Sequence, residues 1–408
     1  MAGMEALDRL PARLTELPPS IALSAEQRAA RDRARQFLHE ELIPRERQFP
    51  ECDHLPAEVE AHLNARAREL GLWAPSTPRE LGGAGLGVLG ALLIKEQVAQ
   101  SVLADVRQDR GIGGDPWPAL FQANEEQKQR YLYPHLRGEK RMFFALTEPA
   151  AGSDAANIQT RAEWDGTVWR IHGRKHFIGA GGWADFGVVF AVTDPAKRAR
   201  GGITCFIVDR ETPGWRWVRD IETMGACRPA ELVFEDCRVP ASNVLGQVGQ
   251  GFVLAQQTLS ITRIRQAALC LGTAQRAFDI LLPWLRGRST FGRPLAQREA
   301  IRWMVARAAA DLRAARLLAY SVAQQIDRGA DVRWEVPTAK TRAAQMACRV
   351  VDLAIQLHGA LGVSRDLPLE RLYRDIRSMR ITEGADEIQR DLIARELAGR
   401  EEAGASST

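Results

Sequence analysis

The sequence predicts a mainly α protein with a central β-domain, in the order N-terminal helical domain, middle antiparallel β-domain and C-terminal four-helix bundle. Three observations carry this. From Ser24 to about residue 140, apolar residues recur at helical spacing. Between Arg141 and about Gly246 the period changes to short β-branched and aromatic runs bounded by Gly, Pro and Asp. From Gly251 to about Gly399 the chain returns to long amphipathic segments rich in Ala, Leu and Arg. The boundaries that follow are a loose arm at 1–20, a helical domain at 21–140, the β-domain at 141–246, the bundle at 247–400 and a disordered tail at 401–408.

The chain has 408 residues, long enough to bury a large core and to form two or three domains. Apolar residues make up 45% and charged residues 26%, and the net charge of +4 leaves acids nearly balancing bases, which does not suggest a nucleic-acid binder. Cys52, Cys205, Cys227, Cys237, Cys270 and Cys348 show no C-x-x-C spacing, so they read as reduced thiols of a cytoplasmic protein and as small buried hydrophobes. No apolar run approaches membrane-spanning length, and Glu5, Asp8 and Glu16 argue against an Arg-rich transit peptide.

Taken in order, Ser24 with Gln27 forms a capping-box pattern at the head of a helix reaching about Arg47. A second helix, about Pro56 to Leu70, stops at Gly71. The glycine-rich stretch Leu81–Gly87 is not a dinucleotide loop, because Val88 occupies the third glycine position and no hydrophobic strand leads into it. It reads as a connection before a helix over Val88–Ser101. After Pro116-Trp117-Pro118 two further helical pieces are expected, with Glu125-Glu126-Gln127-Lys128 exposed. Strands are expected at Val168–Ile171, Gly187–Thr193, Ile203–Val208, Trp215–Val218 and Leu232–Phe234. His172 and His176 share one face of a strand, but no carboxylate or cysteine pattern accompanies them, so no metal site is predicted. In the bundle, Gly272, Gly287, Gly292, Gly329, Gly359 and Gly362 punctuate the helices, and Arg371, Arg374, Arg377 and Arg380 read as solvated or paired with Glu370 and Asp375.

Three stretches stand apart from this background. Phe144–Asp154 packs Thr147, Glu148, Pro149, Gly152, Ser153 and Asp154 into a turn-rich segment that reads either as a ligand-shaped wall or as a helix start capped by Ser153 or Asp154. Gly173–Asp185 follows, with Phe177 and Gly179, and Ile381–Arg390 lies near the end, with Glu383. Leu372, Ile376 and Met379 run a helical pattern up to Glu383, Gly384 breaks it, and Asp386 can cap the next helix. That leaves the Glu383 carboxylate at a bend between two rigid elements, or as an ordinary surface glutamate at a helix end.

Together, in order and spacing from about Leu23 to Gly399, these stretches resemble the acyl-CoA dehydrogenase family. The resemblance implies FAD as cofactor, an acyl-CoA or acyl-carrier-protein thioester as substrate and an electron-transferring flavoprotein as acceptor. It maps Phe144, Leu146, Thr147 and Ser153 along the flavin edge or the substrate, with Phe177 in place of the usual tryptophan. Gly179 replaces the usual threonine, whose hydroxyl reaches flavin N5, so only backbone N–H groups remain there. Arg288-Ser289-Thr290-Phe291-Gly292-Arg293-Pro294 matches the pyrophosphate-contacting motif, with Arg288 as a planar fork and Thr290 and Phe291 beside it. Gln356, Gly359 and Ala360, in the segment Gln356–Gly362, match the adenine side, Ala360 replacing a glycine; Gly384 lies at the flavin side of the base.

In the family the Arg288 and Gln356 segments serve a neighbouring subunit's flavin, which implies a homo-oligomer, a dimer or tetramer. Glu383 matches the catalytic base; the alternative base position, Leu259–Arg263, contains no carboxylate. A carboxylate shielded from water beside an acyl chain and a flavin ring becomes a stronger base. Ser260, Arg263 and Thr382 match substrate-side positions, with Arg263 equally readable as the partner of a buried carboxylate, and Thr382 leaving room for a branched, cyclic or functionalised acyl group. Asn157, Ala385 and Glu299 also depart from the family pattern. The expected activity is α,β-dehydrogenation. Gly179 keeps open an oxidase or monooxygenase, and a non-catalytic helical scaffold is the remaining alternative.

Overall fold

The computed structural model describes residues 21–49, 55–103 and 114–398. The arm at 1–20, the tail at 401–408 and Cys52 lie outside them. By its internal contacts the chain forms two compact units, one comprising 1–50, 86–106 and 263–408 and the other 51–85 and 107–262.

The first unit is helical. Helix α1 (Ala25–Phe37) starts at Ser24, whose hydroxyl accepts from the Gln27 N–H while the Gln27 side chain accepts from the Ser24 N–H, the reciprocal cap that the sequence implied. It continues through tighter and wider turns to Gln48.

In the second unit, helix α2 (Ala57–Glu69) ends where Gly71 adopts φ +65° and Leu72 N–H reaches back to the Ala67 carbonyl, a Schellman stop. Helix α3 (Gly87–Val98) belongs to the first unit again. Its first N–H groups, Val88 and Leu89, are capped by the carboxylate of Asp327, 2.7 and 3.0 Å away and more than two hundred residues along the chain.

The long helices are α4 (Gly251–Gly287), α5 (Glu299–Asp327) and α6 (Glu335–His358), followed by the shorter α7 (Leu369–Arg377) and α8 (Asp386–Leu397). In the first unit α6 packs against α5, α7 and α8, and α3 against α1 and α5. The apolar faces of these helices meet in one core that includes Leu93, Ile264, Phe278, Leu312, Val351 and Ile376.

Gly272 does not punctuate a helix as expected but sits inside α4. A Cβ there would lie 2.3 Å from the Glu96 carbonyl oxygen, so the glycine is what lets α3 approach. By length and composition alone the stretch Glu335–Val363 could cross a membrane, contrary to the sequence reading. Val336, Ala339, Ala343, Ala347 and Val351 spend that hydropathy in the core.

The second unit is built on a seven-stranded sheet: β1 (Met142–Ala145), β2 (Arg161–Trp164), β3 (Val168–Ile178), β4 (Phe186–Val192), β5 (Ile203–Asp209), β6 (Trp215–Asp220) and β7 (Ala230–Pro240). The spatial order is β1-β4-β2-β3-β7-β6, with β5 also paired to β4. All five expected strands are present, and β1 and β2 are additional. The sheet is antiparallel except where β4 meets β1 and β2, which run parallel to it. The β2–β3 hairpin intervenes between β1 and β4 and supplies the long crossover that a parallel pair requires. Side chains of β4 alternate, Phe186, Val188 and Phe190 entering one core and Val189 and Ala191 the other.

Gln127 departs from the exposed run expected at 125–128. It is buried, and its amide donates to the carbonyls of Ser242 and Val244, both at 2.8 Å, after serving as the reciprocal partner of the Asn124 cap.

Candidate active site

In the second unit, β1 runs out of the sheet at Ala145 into the turn that begins with Leu146 and Thr147. Glu148 and Ala151 close this turn by exchanging backbone hydrogen bonds, and Asp154 leads only a single turn, Ala155–Asn157, with no side-chain cap. The segment is therefore a closed turn and not the start of a helix. A buried ion pair braces it. Lys175 on β3, fully buried, donates to Glu148 at 2.8 Å and to the Leu146 carbonyl at 3.0 Å, and Glu148 also accepts from the Gln159 and Thr160 N–H groups.

Burial pushes the Glu148 carboxyl up, but the Lys175 charge and these hydrogen bonds outweigh it and hold the group below its ordinary value. Burial brings Lys175 down to about 8 against the pull of Glu148. The brace fixes Phe144, Leu146 and Thr147: Phe144 stacks on Trp117 at 4.8 Å, Leu146 is buried, and the Thr147 carbonyl accepts from the His176 N–H at 2.9 Å. Ser153 is exposed beyond the turn.

The last of these bonds ties Thr147 to Phe177. Pairing of β3 with β7 slips between Lys175 and Ile178, and within the slip Phe177 adopts φ +58° and turns outward, 54% exposed. A bulky residue in the left-handed region costs backbone strain of about 1–3 kcal/mol, which the bulge in the β3–β7 pairing sustains here. Gly179 follows on the open side, where a Cβ would meet no atom within 4 Å. His172 accepts from the Asp236 N–H at 3.3 Å, and among the described residues no group of His, Cys, Asp and Glu could hold a metal.

In the first unit, α7 ends at Arg377, a 3-10 turn spans Ser378–Arg380, and α8 begins at Asp386. Between them Glu383 takes φ +58° and Gly384 φ +100°. Four side chains hold this bend. Arg263 Nε donates to the Glu383 carbonyl at 2.9 Å, Gln389 Nε2 to the same oxygen at 3.3 Å, Lys340 Nζ to the Gly384 carbonyl at 2.7 Å, and Gln266 Nε2 to the Thr382 hydroxyl at 2.9 Å.

Gly384 cannot be replaced without displacement, since a Cβ would sit 2.2 Å from Gln389 Nε2. Asp386 does not cap α8: the cap position is Ala385, and the Asp386 carboxylate is taken by Arg380 at 2.8 Å and Gln345 at 3.0 Å. Arg263 is buried, which lowers its pKa while the Glu383 charge opposes that shift. It thus pairs with the Glu383 segment through a backbone carbonyl. Ser260, on α4 within the second unit, gives its hydroxyl to the Gln256 carbonyl at 3.1 Å.

The Arg288 segment forms a two-residue hairpin. Ser289–Thr290 pair with Arg293–Pro294, and Phe291 (φ +49°) and Gly292 (φ +77°) make the tip, leaving Phe291 97% exposed. Arg298 holds the Thr290 hydroxyl at 2.9 Å, and the exposed Arg288 guanidinium lies 5.7 Å from the Trp284 ring. Trp284 in turn stacks on His358 at 5.0 Å and donates to the Leu357 carbonyl, which ties the hairpin to the C-terminus of α6. There Gln356, Gly359 and Ala360 are exposed; Gly359 has φ +64° and ψ −139°, open only to glycine, whereas Ala360 has no positive φ, so its side chain is accommodated. Glu299 is an exposed first residue of α5, and Asn157 bonds Asp154.

Each unit by itself offers groups suited to part of a flavin dinucleotide: the second an outward aromatic face with open backbone beside it, the first an exposed guanidinium, an exposed amide and an uncovered aromatic tip. Sequence reasoning missed the supports, namely Lys175, Gln266, Lys340 and Gln389. For Lys340 a signal existed, because it shares the helical face of Val336, Ala343 and Ala347 and so falls on the core side of α6.

Residues 24–139, 143–237 and 249–398 match the N-terminal, middle and C-terminal domains of acyl-CoA dehydrogenase. The chain is 36% identical over 369 residues to a 3-(aryl)acrylate reductase of Clostridium sporogenes, covering 89% of this chain and 96% of that one. It is 35% identical over 392 residues to the mitochondrial short-chain specific acyl-CoA dehydrogenase of Mus musculus, covering 94% and 93%. The solved butyryl-CoA dehydrogenase of Megasphaera elsdenii superposes with a TM-score of 0.83 at 31% identity, covering 93% of this chain and 99% of that one. The protein belongs to the acyl-CoA dehydrogenase family, FAD-dependent oxidoreductases that act on CH–CH bonds.

Proposed function

We propose that the protein catalyses α,β-dehydrogenation of an acyl-CoA to the trans-2-enoyl thioester, with Glu383 as the base. The observation that carries this reading is the bend at Glu383, a carboxylate in a left-handed backbone conformation whose own carbonyl and the next one are held by Arg263, Gln389 and Lys340. Such a frame fits a group that must meet one C–H bond repeatedly in the same geometry. Glu383 removes the α-proton, and its backbone N–H polarises the thioester carbonyl as an oxyanion-type donor. FAD, when bound, supplies the acceptor for the β-hydride.

Phe177 presents a flat apolar face to the ring, and the backbone around Thr147 and Gly179 supplies polar groups at its edge. Phe144, Leu146 and Ser153 complete that wall. Arg288, Thr290 and Phe291, with Gln356, Gly359 and Ala360, bind the dinucleotide in a neighbouring subunit of a homo-oligomer. Ser260, Arg263 and Thr382 line the acyl-thioester side.

An electron-transferring flavoprotein is the expected acceptor, and the cytoplasm the expected compartment. The relative from Clostridium sporogenes is described as a reductase, and the same carboxylate that removes a proton can return one, so the acceptor rather than Glu383 sets the direction. Anaerobic mixing of the FAD-loaded protein with a panel of acyl-CoAs tests the assignment: bleaching of the flavin bands by one acyl class supports it. Oxygen consumption without an added acceptor would favour an oxidase, the reading that Gly179 keeps open.

A further inference from the structure

Helix α6 carries a cation with too few partners. Lys340 is 1% exposed, yet among the described residues its ammonium makes one hydrogen bond, to the Gly384 carbonyl at 2.7 Å, and has no carboxylate within 4.0 Å. A buried ammonium has three donors and is ordinarily paired with an anion, because removing the charge from water is costly. The charged and titratable groups around it are Asp386 at the head of α8, Glu383 in the bend, and Cys270 and Arg263 on α4. Arg380 and Gln345 both bind Asp386 Oδ2, while among the described residues Asp386 Oδ1 is buried without a hydrogen-bond partner and lies beyond ion-pair distance of Lys340. Burial lowers the Lys340 pKa, Asp386, Cys270 and Glu383 oppose this, and Arg263 adds to it.

We propose that Lys340 is a positioning residue for the base, its ammonium pinning the Gly384 carbonyl to hold the Glu383–Gly384 bend and its positive charge favouring the ionised Glu383 carboxylate. The second half rests on the reading of Glu383 as base; the first does not. Deleting the side chain would be felt as a misplaced carboxylate, which slows the chemical step more than it weakens binding. Deleting only the charge would be felt as a change in the pH at which the base becomes ionised.

Three variants of the holoenzyme separate these effects. Lys340→Met removes donor and charge, Lys340→Gln keeps a donor without charge, and Lys340→Arg keeps both. Expected for Lys340→Met is a fall in kcat of about tenfold or more with a smaller change in KM. The acid limb of the kcat profile moves to higher pH in Met and Gln and returns toward wild type in Arg. Amide hydrogen exchange at Glu383–Asp386 speeds up in Met and not in Gln or Arg, a readout that needs no turnover. Unaltered exchange across the bend in Lys340→Met would overturn the pinning, and an acid limb at the wild-type pH in both Met and Gln would overturn the electrostatic role. If wild type bleaches with no acyl-CoA, the functional reading fails while the exchange experiment still decides the pinning.

Discussion

The Nε of Arg263 lies 2.9 Å from the backbone carbonyl oxygen of Glu383, a contact between residues 120 apart in sequence. It assigns a buried guanidinium to the bend at Glu383–Gly384 rather than to a carboxylate side chain. In Arg263→Gln, kcat should fall by about a hundredfold, the scale of a 1 Å misplacement, with a smaller change in KM. Steady-state kinetics check this, and a change confined to KM would instead make Arg263 a purely substrate-binding residue.

Gly384 has φ +100°, and a Cβ there would lie 2.2 Å from Gln389 Nε2. Gly384→Ala is expected to cost about 1–3 kcal/mol of stability from backbone strain, plus loss of the Gln389 contact to Glu383. Denaturant unfolding measures the loss, and activity should fall with it.

Some of this arrangement was legible in the sequence. The Ser24–Gln27 cap and the Gly71 stop follow from local hydrogen-bonding rules, and Leu372, Ile376 and Met379 announce the buried face of the helix before Glu383. Most of the supports were not legible, for a physical reason. Asp327 capping Val88 and Leu89 and Lys175 bracing Leu146 are long-range contacts of polar side chains that read locally as solvated, whereas Lys340 was marked only as lying on the core face of α6, with nothing local to name Gly384 as its partner. Asp386 misled for the complementary reason: its position favours a cap, but Arg380 and Gln345 compete for its carboxylate.

The Lys175–Glu148 brace gives two outcomes. Lys175→Met leaves Glu148 buried without its partner and should destabilise by about 3–5 kcal/mol. For Glu148 the folded pKa lies below the unfolded value, so between them the unfolded state binds more protons. Its contribution is therefore present at neutral pH and is lost as pH falls from the ordinary carboxylate range through the lower folded value. Wild type should lose Tm over that range more steeply than Glu148→Gln; equal slopes would remove Glu148 from the acid response.

At Gly179 a side chain has open space, so Gly179→Thr should fold with stability within about 0.5 kcal/mol of wild type. The added hydroxyl should raise the flavin potential and reduce any oxygen consumption. Spectroelectrochemistry and an oxygen electrode read both.

Thr382 accepts from Gln266 at 2.9 Å and is only partly exposed, next to Glu383. Thr382→Tyr should lower kcat/KM for branched or cyclic acyl-CoAs by about tenfold or more relative to straight short chains, the scale of pocket discrimination. Competition assays with paired substrates measure the ratio, and unchanged selectivity would place the acyl pocket elsewhere.

The most direct measurement is anaerobic stopped-flow mixing of an active acyl-CoA with wild type and with Glu383→Gln, both carrying FAD. The account predicts rapid bleaching of the flavin bands in wild type and, in the variant, retained ligand binding with bleaching slower by about a thousandfold or more, since general-base removal and the loss of a positioned group act together. Bleaching of Glu383→Gln at the wild-type rate would contradict the assignment of Glu383 as the base.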